Sequence, residues 1–554
     1  MKVILCAINS KYIHSSLAPW YLLSSIKANS PSLSCEVYET TINVDEDKII
    51  SDLAAKEFDV IGFSTYIWNV SIVLRVAEKI KKMKNAKIIL GGPEVSYNSK
   101  EILEKYHFID YILSGEGEES MVKLLNGENP SAIDGVCYRS GEEIVISPPA
   151  VLKMVPISPY TTEYFENLNG RIAYIETSRG CPFNCAFCLS GRHSGVRFFD
   201  VEQSKRDIIK LANSGTKTIK FVDRTFNADR KRAIELFSFI IGEYGKKVPR
   251  SVCFHFEIEG ELLDEETFRI LSKAPKGLFQ FEIGIQSFNS KTLDSINRRC
   301  NIERLVENIK RVVAMKNVHV HIDLIVGLPY ETMKVFEESF NAAYWIKADM
   351  LQIGFLKLLH GAQMREKSSK YPCAFSMNPP YEIISNEWLT KSEIRRLKAF
   401  ENVFDRIYNS GRFIQTLEYV FSIVGSPFDF FMSFSEYYKM QHEVKTLDQL
   451  TKCLFEFLVF ELKLDKQVVR DKLVRDRFST NRMCQLPEFL KIHSPQIKSI
   501  LRSLEMDEST KLEKGKVRKA TLLPSEGKFI YVDYQINDKV KKIYEIREIF
   551  IKKN

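Results

Sequence analysis

Three cysteines lie within one eight-residue stretch of this 554-residue chain, Cys181-Pro-Phe-Asn-Cys185-Ala-Phe-Cys188. Thiolates are soft ligands that suit iron-sulfur clusters or zinc, so the spacing predicts a metal site. Three thiolates can hold three corners of a four-iron cluster and leave one iron open. A zinc site is the alternative, and it requires a distant fourth ligand such as Cys253 or His193. The other eight cysteines are scattered, and each alone is expected to be a small core residue.

The first 135 residues alternate short apolar runs with amphipathic stretches of helical spacing. Strands and helices that alternate in this way predict a parallel, doubly wound sheet over residues 1–135. Ligands of such sheets bind beyond the carboxyl ends of the strands. The segments predicted at that edge are rich in glycine and hydroxyl residues, which is typical of a ligand-binding face: Asn9–Ser16, Ser64–Asn69, Gly91–Tyr97 and Gly115–Glu119.

A second alternating series begins near Arg171, after a proline-rich stretch at residues 136–168 that predicts a linker with a small hairpin. Six strand candidates separated by helical patterns predict a partial (β/α)6 barrel of the TIM type over residues 169–368, because six units are too few to close an eight-stranded barrel. The cysteine motif directly follows the first strand, at the end where such barrels form active sites. The strand candidates are Ile172–Glu176, Thr218–Val222, Cys253–Ile258, Gln280–Ile285, His319–Val326 and Leu351–Leu359.

Residues 369–554 are predicted to be mainly helical and to end, over Lys528–Gln535 and Lys542–Ile551, in a strand pair or a strand plus a helix. The formal net charge of +8 comes from 79 basic and 71 acidic residues, a mild excess that permits RNA as a partner without requiring it. No signal peptide and no apolar run of about 18 residues is recognisable. The sequence therefore predicts a cytoplasmic α/β protein: a Rossmann-like domain, a partial barrel and a helical C-terminal domain.

The surroundings of the cysteines resemble the radical SAM (S-adenosylmethionine) superfamily. Its signature is Cys-x3-Cys-x2-Cys with an aromatic residue before the last cysteine, here Phe187, near which the adenine of SAM packs in the family. Without this resemblance, Phe187 is equally well explained as a core residue. The resemblance implies a 4Fe-4S cluster on Cys181, Cys185 and Cys188, with SAM bound at the open iron.

Further strand ends are similar to the superfamily in the same order. Phe221-Val-Asp-Arg-Thr-Phe-Asn follows the second strand, where the resemblance implies contacts to SAM, with a local Asp223–Arg224 ion pair as the alternative. Glu282 and Gln286 share one face of the fourth strand because strand side chains alternate. Asp323-Leu-Ile-Val-Gly ends the fifth strand and resembles the adenine-side motif. The implied SAM-binding residues are Phe187, Asp223, Arg224, Glu282, Gln286, Asp323 and Gly327.

The N-terminal domain resembles cobalamin-binding Rossmann domains through Ser64-Thr-Tyr and Gly91-Gly92. The Asp-x-His-x-x-Gly segment of those domains is replaced by Asn9-Ser-Lys-Tyr-Ile-His-Ser-Ser, so His14 is either a cobalt ligand or a loop histidine bonded to the sheet rim or a corrin amide. Glu116 belongs to a loop that is similar to the family's closing loop, or else caps the helix containing Ser120. The implied cobalamin-binding residues are Ser10, Tyr12, His14, Ser64, Thr65, Tyr66, Gly91, Gly92, Glu94, Gly115 and Glu116.

The resemblance covers roughly residues 1–365 and implies a cobalamin-dependent radical SAM enzyme. It favours methylation of an unactivated carbon through a 5′-deoxyadenosyl radical and methylcobalamin, with a flavodoxin- or ferredoxin-type electron donor. Cyclisation, rearrangement or sulfur insertion with the same cofactors is the first alternative. A zinc-structured RNA-binding protein without redox chemistry is the second. The sequence identifies neither the catalytic residues nor the substrate, which is a small molecule, a peptide or a nucleoside.

Overall fold

The computed structural model describes residues 1–192, 195–441, 444–481, 485–506, 519–538, 540 and 543–550. His193, the alternative zinc ligand, lies outside the described residues. The chain divides into two compact units that are not continuous in sequence. The first unit consists of Met1–Phe279, Asp294–Arg299 and Leu356–Asn386, and the second of Gln280–Leu293, Cys300–Phe355 and Glu387–Asn554.

The N-terminal part of the first unit alternates strands with helices, as predicted. Its elements are β1 (Lys2–Asn9), α1 (Ala18–Asn29), β2 (Ser34–Thr41), α2 (Glu46–Ala54), β3 (Val60–Ser64), α3 (Val70–Met83), β4 (Lys87–Gly91), α4 (Pro93–Ser96), α5 (Ser99–Lys105), β5 (Tyr111–Leu113), α6 (Gly117–Leu125), β6 (Val136–Ser140) and β7 (Glu143–Val145). The sheet order is β2-β1-β3-β4-β5-β6-β7. The first five strands are parallel, and the β6–β7 hairpin extends the edge with antiparallel strands.

Burial explains why these segments fold as they do. Val3 to Ile8 of β1 are all buried, because helices cover both faces of a parallel sheet. Helix α3 buries Val73, Ala77 and Ile80, whose spacing places them on one face of a helix. This strand order is flavodoxin-like. Strand β2 lies on one side of β1 and strand β3 on the other, so the loops after β1 and β3 flank a topological switch point. Doubly wound sheets bind ligands at such a point.

The second series begins in the same unit with α7 (Thr162–Leu168), β8 (Ala173–Ile175), β9 (Ser178–Cys181), β10 (Gly195–Phe198), α8 (Val201–Ala212), β11 (Thr218–Phe221), α9 (Arg230–Glu243), β12 (Cys253–Glu257) and α10 (Glu265–Leu271). Strands β8, β11 and β12 are parallel, with β11 between the other two. Strands β9 and β10 form a separate antiparallel pair that the sequence did not predict, and β9 ends at the first cysteine of the motif.

The series continues with β13 (Phe279–Gln286), α11 (Ser290–Ser295), α12 (Ile302–Met315), β14 (His319–Val326), α13 (Met333–Tyr344) and β15 (Met350–Phe355). In the second unit, β14 pairs in parallel with both β13 and β15. Strands β8, β11, β12, β13, β14 and β15, with the helices between them, are the predicted (β/α)6 series.

Residues 356–386 return to the first unit and hold α14 (Gln363–Glu366), β16 (Cys373–Phe375) and β17 (Ile383–Asn386). We call this segment the return segment. The amide of Met364 donates a hydrogen bond to the carbonyl of Ala186 (3.0 Å), within the cysteine motif. The hydroxyl of Tyr381 donates to the Glu94 carboxylate (2.7 Å), beside the glycine pair. The return segment therefore contacts the cysteine loop and the loop that contains the glycine pair.

The remainder of the second unit is mainly helical, as predicted. Its elements are α15 (Lys391–Phe404), α16 (Ile414–Val420), α17 (Pro427–Met440), α18 (Leu447–Glu456), α19 (Lys466–Thr480), α20 (Pro495–Met506), β18 (Lys519–Leu523), β19 (Lys528–Asp538) and β20 (Ile543–Phe550). The terminal strand pair is present as β19 and β20, and β18, which was not predicted, adds a third antiparallel strand. Among the described residues, every helix is too short or too polar to cross a membrane.

Candidate active site

The cysteine motif occupies a short loop that begins at the end of the β9–β10 pair. Cys181 ends β9, and the backbone turns there at Gly180, whose φ of 99° favours glycine. Cys185 is buried, whereas Cys181 and Cys188 are half-buried. Burial raises the pKa of the Cys185 thiol, the Arg298 guanidinium opposes the rise, and the other two cysteines add to it. The three thiols are thus close enough to influence one another, which fits a shared metal cluster.

The alternative zinc ligand Cys253 lies at the wrong end of its strand. It is the first residue of β12 and pairs in register with Thr218, the first residue of the parallel strand β11. The Cys181 sulfur instead lies 3.4 Å from the hydroxyl oxygen of Thr225, which follows the carboxyl end of β11. Cys253 therefore does not complete a site with the motif cysteines.

Asp223 fixes the segment that leads into the motif. Its carboxylate accepts hydrogen bonds from the backbone amide and hydroxyl of Thr177 (2.9 and 2.7 Å) and from the hydroxyl of Ser178 (2.6 Å). The residue is 1% exposed, and burial raises the pKa of this carboxyl despite the three hydrogen bonds. The predicted Asp223–Arg224 ion pair is absent among the described residues. The geometry gives Asp223 a positioning role toward the cysteine loop.

Arg179, two residues before the first cysteine, is held by three carboxylates. Its guanidinium lies 2.6 Å from Glu118, 3.0 Å from Glu176 and 3.3 Å from Glu116, and 13% of its side chain is exposed. Glu116 directly precedes α6, makes no side-chain capping bond to it, and pairs with Arg197 as well. Burial alone would raise the pKa of the Glu116 carboxyl, but the two arginines hold it below its usual value. This ion cluster joins the loop after β5 to the cysteine loop.

A cavity of about 610 Å³ opens beside this ion cluster. All four predicted ligand-binding loops of the N-terminal sheet line it, together with residues at the ends of β8 and β11. Its apolar part is formed by side chains of the sheet, α1 and α6, including Leu5, Leu22 and Met121. The predicted cobalamin-binding residues that line it are Ser10, His14, Ser64, Tyr66, Gly91, Gly92, Gly115 and Glu116. Such a mixture of apolar slot and backbone-rich loops fits a bulky cofactor with amide and phosphate groups.

Three predicted cobalamin-binding residues do not line this cavity. The Thr65 side chain turns inward, and its hydroxyl donates to the carbonyl oxygen of Gly91 (2.7 Å). Glu94 is buried, where it accepts the hydrogen bond from Tyr381. Tyr12 is 66% exposed and accepts a long hydrogen bond from Asn169 (3.5 Å). Thr65 and Glu94 therefore stabilise the conformation of the glycine-pair loop and do not face the cavity.

The glycine pair is held tightly against the neighbouring loop. Gly92 has a φ of 110°, and a Cβ atom there would lie 2.4 Å from the carbonyl oxygen of Thr65. We expect Gly92→Ala to displace the loop and to lower cobalamin retention, measured as bound hydroxocobalamin absorbance after desalting. Gly127→Ala is the control, because Gly127 also has a positive φ (81°) but no atom within 4 Å of the added Cβ. Equal retention by the two variants would contradict a role of this loop in cobalamin binding.

His14 connects the loop after β1 to the first barrel strand. Its Nδ1 atom lies 2.6 Å from the hydroxyl oxygen of Tyr174, and both side chains line the cavity. The loop is also tied to the strand by the Ser15 hydroxyl, which donates to the carbonyl of Ile172 (2.7 Å). Burial lowers the pKa of the His14 imidazole, and Lys11 and Lys220 lower it further. His14 and Ser15 together therefore tie the loop after β1 to the start of the barrel series.

The predicted SAM-binding residues of the second unit lie on two adjacent strands. Glu282 pairs in register with His321, and Gly284 with Asp323. His321 Nε2 lies 2.9 Å from Asp323 Oδ1, and ligand atoms of Glu282, His321 and Asp323 all lie within 4.8 Å of one another. Such a group can bind a cation or orient the Asp323 carboxylate. Gln286 ends β13 and Gly327 follows β14, both with a positive φ, while Phe187 is half-buried in the cysteine loop of the first unit.

Sequence reasoning missed several polar residues of these sites. Arg179 donates a hydrogen bond to Glu118, which is 61 residues away in sequence, and no local sequence pattern predicts such a pair. His321 was detectable, because it lies two residues before Asp323 and strand side chains alternate. Tyr174 was also detectable as a polar residue inside the first barrel strand.

Three protein families match the sequence in consecutive segments. They are described as the B12 binding domain (residues 4–125), the Radical SAM superfamily (residues 175–343) and a protein of unknown function, DUF4080 (residues 369–543).

Curated relatives align over about half of this chain. The chain is 28% identical over 315 residues to the cobalamin-dependent radical SAM methyltransferase TokK of Streptomyces tokunonensis, covering 52% of this chain and 45% of TokK. It is 25% identical over 329 residues to the anaerobic magnesium-protoporphyrin IX monomethyl ester cyclase of Cereibacter sphaeroides, covering 55% of this chain and 52% of the cyclase. The chain thus spans about half the length of these two relatives.

A solved structure matches most of the fold. The cobalamin-dependent S-adenosylmethionine radical enzyme OxsB, with aqua-cobalamin and S-adenosylmethionine bound, superimposes with a TM-score of 0.57 at 15% identity, covering 92% of this chain and 81% of OxsB. This likeness confirms the predicted fold class: a Rossmann-like domain followed by a partial barrel and a mainly helical C-terminal region.

Proposed function

We propose that this chain, which belongs to the cobalamin-dependent radical SAM enzymes, methylates an unactivated carbon of its substrate. The observation that carries the proposal is the cavity, because the ligand-binding loops of the N-terminal sheet and the ends of β8 and β11 line the same space. Arg179 ties the cysteine loop to one wall of that space. A molecule held by the sheet therefore lies beside the end of the barrel series that carries the cysteines.

When bound, the 4Fe-4S cluster supplies the electron that cleaves SAM, and the cobalamin supplies the methyl group for transfer. The residues of the chain hold and orient these groups. The cluster would be held by Cys181, Cys185 and Cys188. Asp223 and Arg179 fix the backbone segment that leads into the first of these cysteines. The apolar slot formed by Leu5, Leu22 and their neighbours would exclude water from the cobalamin side.

The proposal retains most of the SAM contacts expected from the resemblance. Phe187, Asp323 and Gly327 would contact the adenine side of SAM, and Glu282 and Gln286 would contact its ribose and carboxylate. The 2.9 Å distance between His321 Nε2 and Asp323 Oδ1 supports this assignment, because it places a second polar side chain beside the Asp323 carboxylate. The positioning role of Asp223 replaces the direct SAM contact expected from the sequence.

Cyclisation is a second candidate, since the magnesium-protoporphyrin cyclase aligns over as much of this chain as TokK does. The two reactions differ in what becomes of SAM. A methyltransferase converts one SAM to S-adenosylhomocysteine and another to 5′-deoxyadenosine. A cyclase that uses the same cofactors forms 5′-deoxyadenosine without S-adenosylhomocysteine.

The test is an anaerobic product analysis of protein reconstituted with iron, sulfide and hydroxocobalamin, and supplied with SAM and a chemical reductant. Small molecules extracted from the source cells serve as substrate. Methylation predicts that S-adenosylhomocysteine and 5′-deoxyadenosine accumulate together when the extract is added. Formation of 5′-deoxyadenosine alone would contradict methylation. A colourless protein that contains zinc and no iron would contradict the radical chemistry and favour the zinc-structured alternative.

We further propose that a flavodoxin- or ferredoxin-type protein supplies the electron in the cytoplasm. Cysteines that bind an iron-sulfur cluster must be reduced, so the motif of Cys181, Cys185 and Cys188 supports a reducing compartment. The half-buried cysteines Cys181 and Cys188 leave one side of the loop accessible to solvent and hence to an electron donor.

A further inference from the structure

Arg224 differs from the other charged residues that line the cavity. It follows β11, is exposed, and its guanidinium makes no hydrogen bond or ion pair with any part of the chain that the structure describes. Arg179, on the same cavity wall, pairs with three carboxylates. Arg224 therefore presents to the cavity a guanidinium that no carboxylate of the described chain binds.

Arg224 and Tyr66 lie close together on the cavity wall. Burial raises the pKa of the Tyr66 hydroxyl, the Arg224 cation opposes that rise, and the Glu176 carboxylate adds to it. Glu176 lines the same cavity, but its carboxylate pairs with Arg179 and makes no ion pair with Arg224.

A guanidinium with five donors and no acceptor attracts a carboxylate or a phosphate, which it can bind in a bidentate manner. It repels an ammonium group, so Arg224 is unsuited to the amino group of SAM. Tyr66 and Trp68 stack on each other with ring centroids 4.5 Å apart, and both line the same cavity as Arg224. An occupant with one anionic group and an apolar or planar body matches this wall.

We propose that Arg224 binds the anionic group of the substrate, so that the molecule this enzyme modifies is a carboxylic acid or a phosphate ester. The inference rests on the proposed function in placing the substrate beside the cobalamin, at the part of the cavity that the residues after β11 line. Cobalamin and SAM also carry anionic groups, a phosphate and a carboxylate, and the experiment must separate these sources from the substrate.

The first experiment separates the cell extract on an anion exchanger and supplies each fraction to the reconstituted enzyme with SAM that carries a deuterated methyl group. The fraction that stimulates 5′-deoxyadenosine formation contains the substrate, whichever reaction follows. We expect that fraction to be retained by the exchanger. A stimulating fraction that is not retained would overturn the inference. A retained fraction that stimulates 5′-deoxyadenosine formation but receives no deuterium would contradict methylation and leave the inference intact.

The second experiment compares Arg224→Met with the wild type. Loss of a charged hydrogen-bonded pair predicts that the concentration of the retained fraction needed for half-maximal stimulation rises roughly 10- to 100-fold. Arg224→Lys should recover part of this loss. Arg206→Met, at an exposed arginine on α8, is the control and should behave as the wild type. If Arg224→Met instead weakens binding of SAM or of hydroxocobalamin, the anion belongs to the cofactor and the inference is wrong.

A direct binding measurement covers the case in which no fraction is active. Inorganic phosphate and succinate are the probes, and tryptophan fluorescence is the signal, because Trp68 lines the cavity with Arg224. A saturable response that Arg224→Met removes supports the inference. Probes that give the same response with both proteins, together with inactive fractions, would overturn it.

Discussion

Replacing Cys185 by alanine is expected to abolish cluster binding and SAM cleavage. Cys185 is the buried member of the motif, and its loss leaves two thiolates where the cluster needs three. The loss of 5′-deoxyadenosine formation should exceed the roughly 100-fold that removal of an outer-shell partner can cost. The measurements are iron and sulfide content, the electron paramagnetic resonance signal of the reduced protein, and 5′-deoxyadenosine formation.

Cys253→Ala is the matched control for this prediction. Cys253 is a half-buried thiol of the same unit, and it is the residue that a zinc site would recruit as fourth ligand. We expect this variant to keep its iron and its activity. Loss of metal from both variants would favour a four-ligand site, and an unchanged iron content in Cys185→Ala would exclude the motif as the cluster site.

Replacing Arg179 by methionine is expected to cause the largest loss of stability and cobalamin retention outside the cysteines. The change removes the cation that three carboxylates surround, and Glu118 and Glu176 are left as neighbouring anions with little solvent. Breaking a buried ion pair by removing one partner costs about 3–5 kcal/mol, and the 13% exposure of Arg179 places the expected value at the lower end. Thermal unfolding and bound hydroxocobalamin are the readouts.

Arg230→Met provides the comparison for this effect. Arg230 also pairs with two carboxylates, Asp264 and Glu266, but on an exposed surface of α9. Exposed pairs contribute about 0–1 kcal/mol, so this variant should unfold close to the wild-type temperature. Equal stability of the two variants would show that the Arg179 cluster does not hold the two loops together.

The regular part of the fold was predictable because its physical causes are local. Val3 to Ile8 form an uninterrupted apolar run, and the spacing of Val73, Ala77 and Ile80 defines one helix face. The cysteine motif and the glycine pair were recognisable for a similar reason, since each function requires particular residue types at close spacing. These features fixed the fold class and the cofactors.

The remaining features depend on contacts between distant parts of the chain. Strands β9 and β10 are short and contain both polar and apolar residues. They form because Ser178 to Cys181 pair with Gly195 to Phe198 across the cysteine loop. The inward turn of Thr65 depends on the Gly91 carbonyl, which is 26 residues away. Asp223 looked like a ligand-binding acid from its place after a strand, whereas Thr177 and Ser178 occupy its carboxylate.

The return segment sets an order of events during synthesis. The ribosome produces the N-terminal sheet, the cysteine loop and the whole of β13 to β15 before Leu356–Asn386, yet this last piece belongs to the first unit. Until it emerges, the Ala186 carbonyl and the Glu94 carboxylate lack the partners that Met364 and Tyr381 provide. At about 5–20 residues per second the wait lasts roughly 10 to 60 seconds. The cysteine loop therefore gains its contact to the return segment only after the whole barrel series has been translated.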